Sequence, residues 1–248
     1  MLIKHLAFDL ETILDPDMPA YVSKSEKETF PQTPYWKVVC IGSILADADF
    51  KVVKLGVVKG EEEVDQITGF VRLVQERRPT LITFNGRGFD IPVITARCMR
   101  YGISFPYRFT KSVSHRYGDA ISGSFDVMDH LSDFGATKPA SLDAWARLIG
   151  MPGKGDTNGN DVAKLYAEGQ LDKIRAYCLD DVVQHYAVAL RVHLLRGLPE
   201  EGYIAAMKSL LVAVESEPMV SHMIPKMNVK RLLLEHETQL GITELERT

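Results

Sequence analysis

Ile3-Lys4-His5-Leu6-Ala7-Phe8-Asp9-Leu10-Glu11-Thr12 is the stretch whose reading decides the fold. Ile3 to Leu10 is a short apolar run of the kind that forms a buried strand, with acids near its end. Side chains two apart on a strand share a face, so Asp9 and Glu11 stand side by side. Two like charges there are unfavourable unless something positive lies between them. Either both face water at a strand end, or a divalent cation bridges them. Their hard oxygens suit Mg²⁺ or Mn²⁺.

Outward from this strand, residues 12–35 carry Pro16, Pro19, Pro31 and Pro34 among mixed charges and read as a long loop. Lys37–Leu45 and Phe50–Val58 are β-branched runs separated by Ala-Asp-Ala-Asp, which predicts a hairpin. Glu61–Arg78 opens on glutamates, closes on arginines and repeats apolar residues at helical spacing. Thr80–Asn85 reads as a strand. Ile91–Tyr101 reads as a helix, with Asp90 placed to cap it and Gly102 to stop it. Arg108–Ser124 is polar and unassigned. Ser141–Ile149 is a short helix, residues 151–160 (MPGKGDTNGN) a flexible loop, and Leu171 to about Leu195 a long helix. Three hairpin-linked strands followed by a crossover predict an α/β class: a mixed sheet with helices on its faces. That is the arrangement of a ribonuclease H-like fold. We place this domain at residues 1–197, with 198–248 as a helical extension of unassigned role.

Composition bounds the function. The 248 residues are 46% hydrophobic and 25% charged, ordinary for one folded domain with appended elements. The net charge of −4 argues against tight binding along a long duplex, but not against a few contacts in one groove. Cys40, Cys98 and Cys178 are isolated in apolar runs, which fits buried thiols rather than a disulfide frame or zinc site. No apolar run approaches the roughly 18 residues of a membrane span. A cytoplasmic protein is expected.

Two further acids stand in informative places. Asn85-Gly86-Arg87-Gly88-Phe89-Asp90 joins a strand to a helix, so Asp90 is either a plain helix cap or part of a site. In the long helix, Leu171, Ile174, Cys178, Val182, His185 and Ala189 define one buried stripe, on which His185 reads as packed core. Asp181 falls on the flank of that stripe and needs a partner. Asp180 falls on the opposite face and needs none. Tyr177, one turn before Asp181, is its neighbour. Asp126 and Asp129 lie near a strand end, as supports of the site or as turn residues. Asp156-Thr157-Asn158-Gly159-Asn160 imitates a calcium loop but lacks its sixth-position glycine, and reads as a turn into a helix capped by Asn160.

The ordered set, strand Asp9-x-Glu11, then Asn85-x-x-x-Phe89-Asp90, then helical Tyr177-x-x-x-Asp181, resembles the motifs of the DEDD (DnaQ-like) 3′-to-5′ exonuclease superfamily. The tyrosine marks its DEDDy branch; the histidine version would place His where Ala176 stands. The second motif is similar to that of the proofreading domain of family B DNA polymerases. Phe125–Asp129 and Ser141–Asp143 resemble stand-alone bacterial proteins related to that domain, and the likeness covers roughly residues 1–195. It implies two-metal hydrolysis from the 3′ end of a single strand, with Asp9, Glu11, Asp90 and Asp181 holding two Mg²⁺ or Mn²⁺ ions. Tyr177 would orient the attacking water. Backbone at Leu10 and Thr12, together with Asn85, would hold the terminal nucleotide. Phe89 would stack near the bases or serve as plain core, and Lys154 would contact a phosphate. DNA is favoured over RNA, although ribonuclease D carries the same tyrosine motif. An exoribonuclease of that type, a non-catalytic nucleic-acid module on the same fold, or an interaction protein assembling through its C-terminal helices are the alternatives.

Overall fold

The computed structural model describes residues 3–22, 30–110, 123–155 and 159–235. Five strands form one sheet: β1 (His5–Leu14), β2 (Trp36–Ala46), β3 (Val52–Val57), β4 (Thr80–Thr83) and β5 (Ser124–Asp126), in the order β3-β2-β1-β4-β5. The β1–β2 and β2–β3 pairs are antiparallel, and the β1–β4 and β4–β5 pairs are parallel. This is the mixed ribonuclease H-like sheet, flanked by helices. The helices are α1 (Glu63–Arg77), α2 (Asp90–Tyr101), α3 (Val127–Leu131), α4 (Leu142–Ile149), α5 (Val162–Ala167), α6 (Leu171–Leu195), α7 (Glu200–Ser216) and α8 (Val229–Leu232).

Strand alternation sorts the core into two layers. Leu6, Phe8 and Leu10 of β1 face Phe70 and Val74 of α1 and Ile91 and Ile94 of α2. Ala7, from the opposite face, packs with Leu179, Val183 and Tyr186 of α6 and with Tyr203, Met207 and Leu210 of α7. A third cluster joins Ile13 and Cys40 to Ile174, Tyr177 and Cys178. Covered by the sheet on one side and by other helices elsewhere, α6 is buried almost all round from Tyr177 to Val192. The single stripe expected for it was therefore too narrow, and Leu171 lies outside the core at 37% exposure. His185 is fully buried, as its phase predicted.

Two boundaries differ from expectation. The first strand runs on to Leu14 rather than ending at Leu10, so residues 12–14 are not loop. Its ladder with β2 continues past the acids through a bulge between Glu11 and Thr12. β5 and α3 follow the unassigned polar stretch, whose residues 111–122 lie outside the described residues, and β5 is the strand whose end was expected near Asp126. Asp161 rather than Asn160 precedes α5, and residues 156–158 of the calcium-like segment lie outside the described residues. No helix among the described residues is long and apolar enough to cross a membrane.

One glycine sets how closely α6 meets the sheet. A Cβ on Gly42 would stand 2.9 Å from the Cys178 sulfur and 3.0 Å from Cγ2 of Val182. Gly42→Ala is expected to overpack this contact by about 1–3 kcal/mol, lowering the melting temperature by several degrees in a scanning calorimeter. Adding Cys178→Ala should restore part of the loss. An unchanged melting point in the single variant would contradict the close approach.

Candidate active site

Backbone pairing places the first two acids. Asp9 lies opposite Gly42 and Glu11 opposite Cys40 in the β1–β2 ladder. Glu11 is buried and Asp9 half-buried. A carboxylate oxygen of each and the Cys178 sulfur lie within 4.8 Å of one another.

Asp90 arrives from the β4–α2 junction, in a role that corrects its reading as a helix cap. Phe89 takes the cap position, and Asp90 is the first residue of α2. Its Oδ1 accepts the N–H of Leu10 at 3.1 Å. The cause lies in strand lengths. β4 stops at Thr83 and its pairing with β1 ends at Ala7–Ile82, whereas β1 runs on to Leu14. Beyond Ala7 this edge of β1 offers amide groups with no strand beside them, and Asp90 satisfies one.

Tyr177 and Asp181 lie one turn apart on α6, close enough for the hydroxyl to hold down the rise of the carboxylate. Lys154 reaches the same place from the loop after α4, with its Nζ 3.4 Å from the Tyr177 hydroxyl. Its backbone is clamped: Asp143 Oδ1 accepts the Lys154 N–H at 2.6 Å, and Arg147 Nη2 donates to its carbonyl at 3.2 Å. Arg147 is in turn paired with Asp143 at 2.9 Å.

The acids oppose one another's ionisation. Burial, and then the charges of Asp90, Glu11 and Asp181, hold Asp9 well above the ordinary carboxylate range. Glu11 is raised in the same way, by burial and then Asp181, with Lys154 acting against the rise. Asp90 is pushed up to about 7, chiefly by burial, with Asp126 adding to the shift and the Leu10 amide opposing it. Asp181 is raised by burial, against the pull of Lys154 and Tyr177. The Tyr177 hydroxyl is driven up by burial and by Asp181, Glu11 and Asp9, so it stays protonated at neutral pH. Hard oxygens from three separate elements, each paying to be charged, form a donor set that fits divalent cations.

The other predicted residues take varied places. Leu10 is buried, and its amide hydrogen is already committed to Asp90. Thr12 is half-buried in β1, and Asn85 is exposed with φ +65°. Phe89 is half-buried and packs edge-on against Trp36 and Phe30, both at 5.7 Å, with Phe30 itself 62% exposed. It therefore belongs to an aromatic cluster that reaches the surface.

Several contributors were not assigned from sequence. The Asp126 carboxylate accepts the amides of Asn85 and Arg87, both at 2.9 Å, and so pins the turn that delivers Asp90. Asp129 grips Arg87 through Nε and Nη2. The sequence alone leaves both acids open as supports of the site or as turn residues. Cys178 accepts the Gly42 amide at 3.2 Å and lies 3.5 Å from the Asp9 carbonyl, while burial pushes its thiol up and keeps it neutral. It joins β1, β2 and α6 as a hydrogen-bonding bracket rather than as an anionic ligand; its position one turn from Asp181 was the available signal. Asp180 is a correction. It is partly buried and pairs with His222 at 3.3 Å, because the segment after α7 folds back over that face of α6.

Against this geometry, the family described as predicted 3′-5′ exonucleases related to the exonuclease domain of PolB matches residues 28–225. The chain belongs to that family, and with it to the DnaQ-like exonuclease superfamily. The match contains Asp90, Lys154, Tyr177 and Asp181, and it starts after Asp9 and Glu11. Among solved structures, the chain is similar to the family B DNA polymerase of the hyperthermophilic archaeon Pyrobaculum calidifontis. The identity is 18% and the TM-score 0.52, over 86% of this chain and 29% of the polymerase. A likeness at that identity speaks for the fold. E. coli exonuclease I in complex with a 5cy-dT13 oligonucleotide is 14% identical with a TM-score of 0.37, over 85% of this chain and 50% of that one. This exonuclease-family chain thus spans at most half of either structure, and no curated protein matches it.

The raised Asp90 makes a signed prediction. Its folded pKa of about 7 lies above the unfolded value near 3.8. The folded state therefore holds the extra proton between those values, and stability falls as pH rises through this window. In metal-free buffer, Asp90→Asn should melt higher than wild type, by a margin that grows from pH 5 to pH 8. A margin independent of pH would contradict the shift.

Proposed function

We propose that the chain is a divalent-cation-dependent 3′-to-5′ exonuclease of the tyrosine (DEDDy) type, acting on single-stranded DNA. The observation that carries this reading is the convergence of Asp9, Glu11, Asp90 and Asp181, with Tyr177 beside the last. These four carboxylates would hold Mg²⁺ or Mn²⁺, and four negative charges balance two such ions. When bound, such a pair supplies charge stabilisation to the attacking and leaving oxygens of an in-line displacement.

The chain's own groups divide the remaining work. In the hydrolysis, a water oxygen bonds to phosphorus as its proton passes to solvent, and the P–O3′ bond breaks. The freed 3′-oxygen takes a proton, and a nucleoside 5′-monophosphate leaves. Tyr177, protonated at neutral pH, orients the attacking water by hydrogen bonding rather than by removing its proton. Lys154, held by Asp143 and Arg147, sets its ammonium against the oxygens of the scissile phosphate. Asn85 and the β1 backbone at Leu10 and Thr12 border the terminal nucleotide; the Leu10 amide serves Asp90, which leaves its carbonyl side for any such contact. Phe89, with Trp36 and Phe30, offers a face for stacking bases of any sequence. DNA is proposed over RNA because the matching family is related to the exonuclease domain of a DNA polymerase.

The test is digestion of 5′-labelled DNA and RNA strands of matched sequence by the purified protein with Mn²⁺. The expected result is shortening from the 3′ end, faster on DNA, and its loss in Asp9→Ala and Asp181→Ala with folding retained. Tyr177→Phe should lower turnover by up to about a hundredfold, the scale of a lost positioning contact. Full activity in either alanine variant, or an unchanged rate in Tyr177→Phe, would overturn the assignment.

A further inference from the structure

Beside the carboxylates lies a groove of about 370 Å³, running from Tyr177 and Asp181 along α6 and bounded on its far side by the chain after α7. Four basic side chains from three segments line it: Lys154, Lys173, His222 and Lys226. Resting on the exonuclease reading above, we infer that this groove binds the phosphodiester backbone of the substrate strand next to the scissile phosphate. Lys173 and Lys226 would be its positioning cations.

Helical phase makes the groove continuous with the site. Lys173, Tyr177 and Asp181 recur at four-residue intervals, so they form one row along α6, with the lysine at the outer end and the acid at the inner. The opposite wall is the 3-10 helix Ser221–Lys226. That helix is fixed by Val220 and Met223, which are buried in the same core as α6 and α7. Lys226, which follows the family match by one residue, is exposed, as is Lys173.

Charge accounting favours an anion. Asp180 is the one acid of the groove outside the proposed cation-binding set, and it is countered by His222 at 3.3 Å and by Lys226. Asp181 and its fellow acids are neutralised in the proposed function by the ions they hold. Three ammonium groups, Lys154, Lys173 and Lys226, then stand against the single charge of Asp180, which leaves the cavity lining positive. Compact ammonium groups on flexible stems contact phosphate as point charges, without reading sequence. The volume lies at the small end of ligand sites, roughly 300–1,000 Å³, which suits a short length of single strand and not a duplex. Such a contact also gives the segment after α7 a part in substrate binding.

The experiment measures binding of a fluorescent DNA decanucleotide, by anisotropy, with Ca²⁺ in place of Mn²⁺ and across a series of salt concentrations. Lys173→Gln/Lys226→Gln is expected to weaken binding about tenfold at low salt. It should flatten the slope of log affinity against log salt by about 1.4, since each contact to a single strand contributes about 0.7. The preference for the decanucleotide over a dinucleotide should narrow in the same variant. Lys173→Arg/Lys226→Arg should restore affinity and slope. If the wild-type protein neither binds nor degrades the strand, the exonuclease reading itself fails. If it degrades the strand with Mn²⁺ while the glutamine variant binds with wild-type affinity and slope, the groove inference alone is overturned.

Discussion

Mutual repulsion among buried carboxylates is the constraint on which the rest of this structure turns. Asp9, Glu11 and Asp90 stand where the central strand outruns its parallel neighbour, and each is penalised for carrying charge by burial and by a neighbouring acid: Asp9 by Asp90, Glu11 by Asp181 and Asp90 by Asp126. A fold built only for stability would place apolar residues at the end of β1, as it does along Leu6, Ala7 and Phe8. The strain is local and bounded. Asp90 draws compensation from the Leu10 amide, Asp181 from Tyr177 and Lys154. What remains uncompensated is an excess of negative charge that a cation would relieve.

Much of the surrounding structure holds these acids in place. Gly42 lets α6 settle onto the sheet, and the Cys178 thiol bridges the two through the Gly42 amide. On the other side, Asp126 collects the amides of the Asn85–Gly88 turn and so fixes where α2 begins. In the second half of α2, Arg97 forms buried ion pairs with both Asp15 and Glu63, tying the residue after β1 to α1. A buried cation with two anionic partners adds little net stability, but losing one partner would be costly, so the network fixes geometry.

The legible and illegible parts of the sequence differ for physical reasons. Apolar and β-branched runs placed the strands, and a 3.6-residue period placed α1 and α2, which each bury one face; α6 was found from its length and pattern although it is buried almost all round. The extension of β1 to Leu14 was hidden because the acids interrupt the apolar run while the backbone pairing continues. β5 is three residues long, too short to show a period. Within the site, Asp9 and Glu11 followed from alternation, and the Tyr177–Asp181 contact from helical phase. Asp90's acceptance of the Leu10 amide could not be read locally, because the two are eighty residues apart in sequence. Asp180 was misread for a related reason: its partner, His222, arrives from a segment whose packing the pattern left open.

The central claim is that these acids are assembled to be neutralised by divalent cations, and calorimetric titration of the metal-free protein with Mn²⁺ tests it most directly. The titration is run at pH 7 in two buffers of different ionisation enthalpy. Carboxyls held above their ordinary range must lose protons as ions bind, so the account predicts binding of about two ions per chain with net proton release, and loss of that binding in Asp9→Ala. Binding without proton release, or binding that survives Asp9→Ala unchanged, would contradict it.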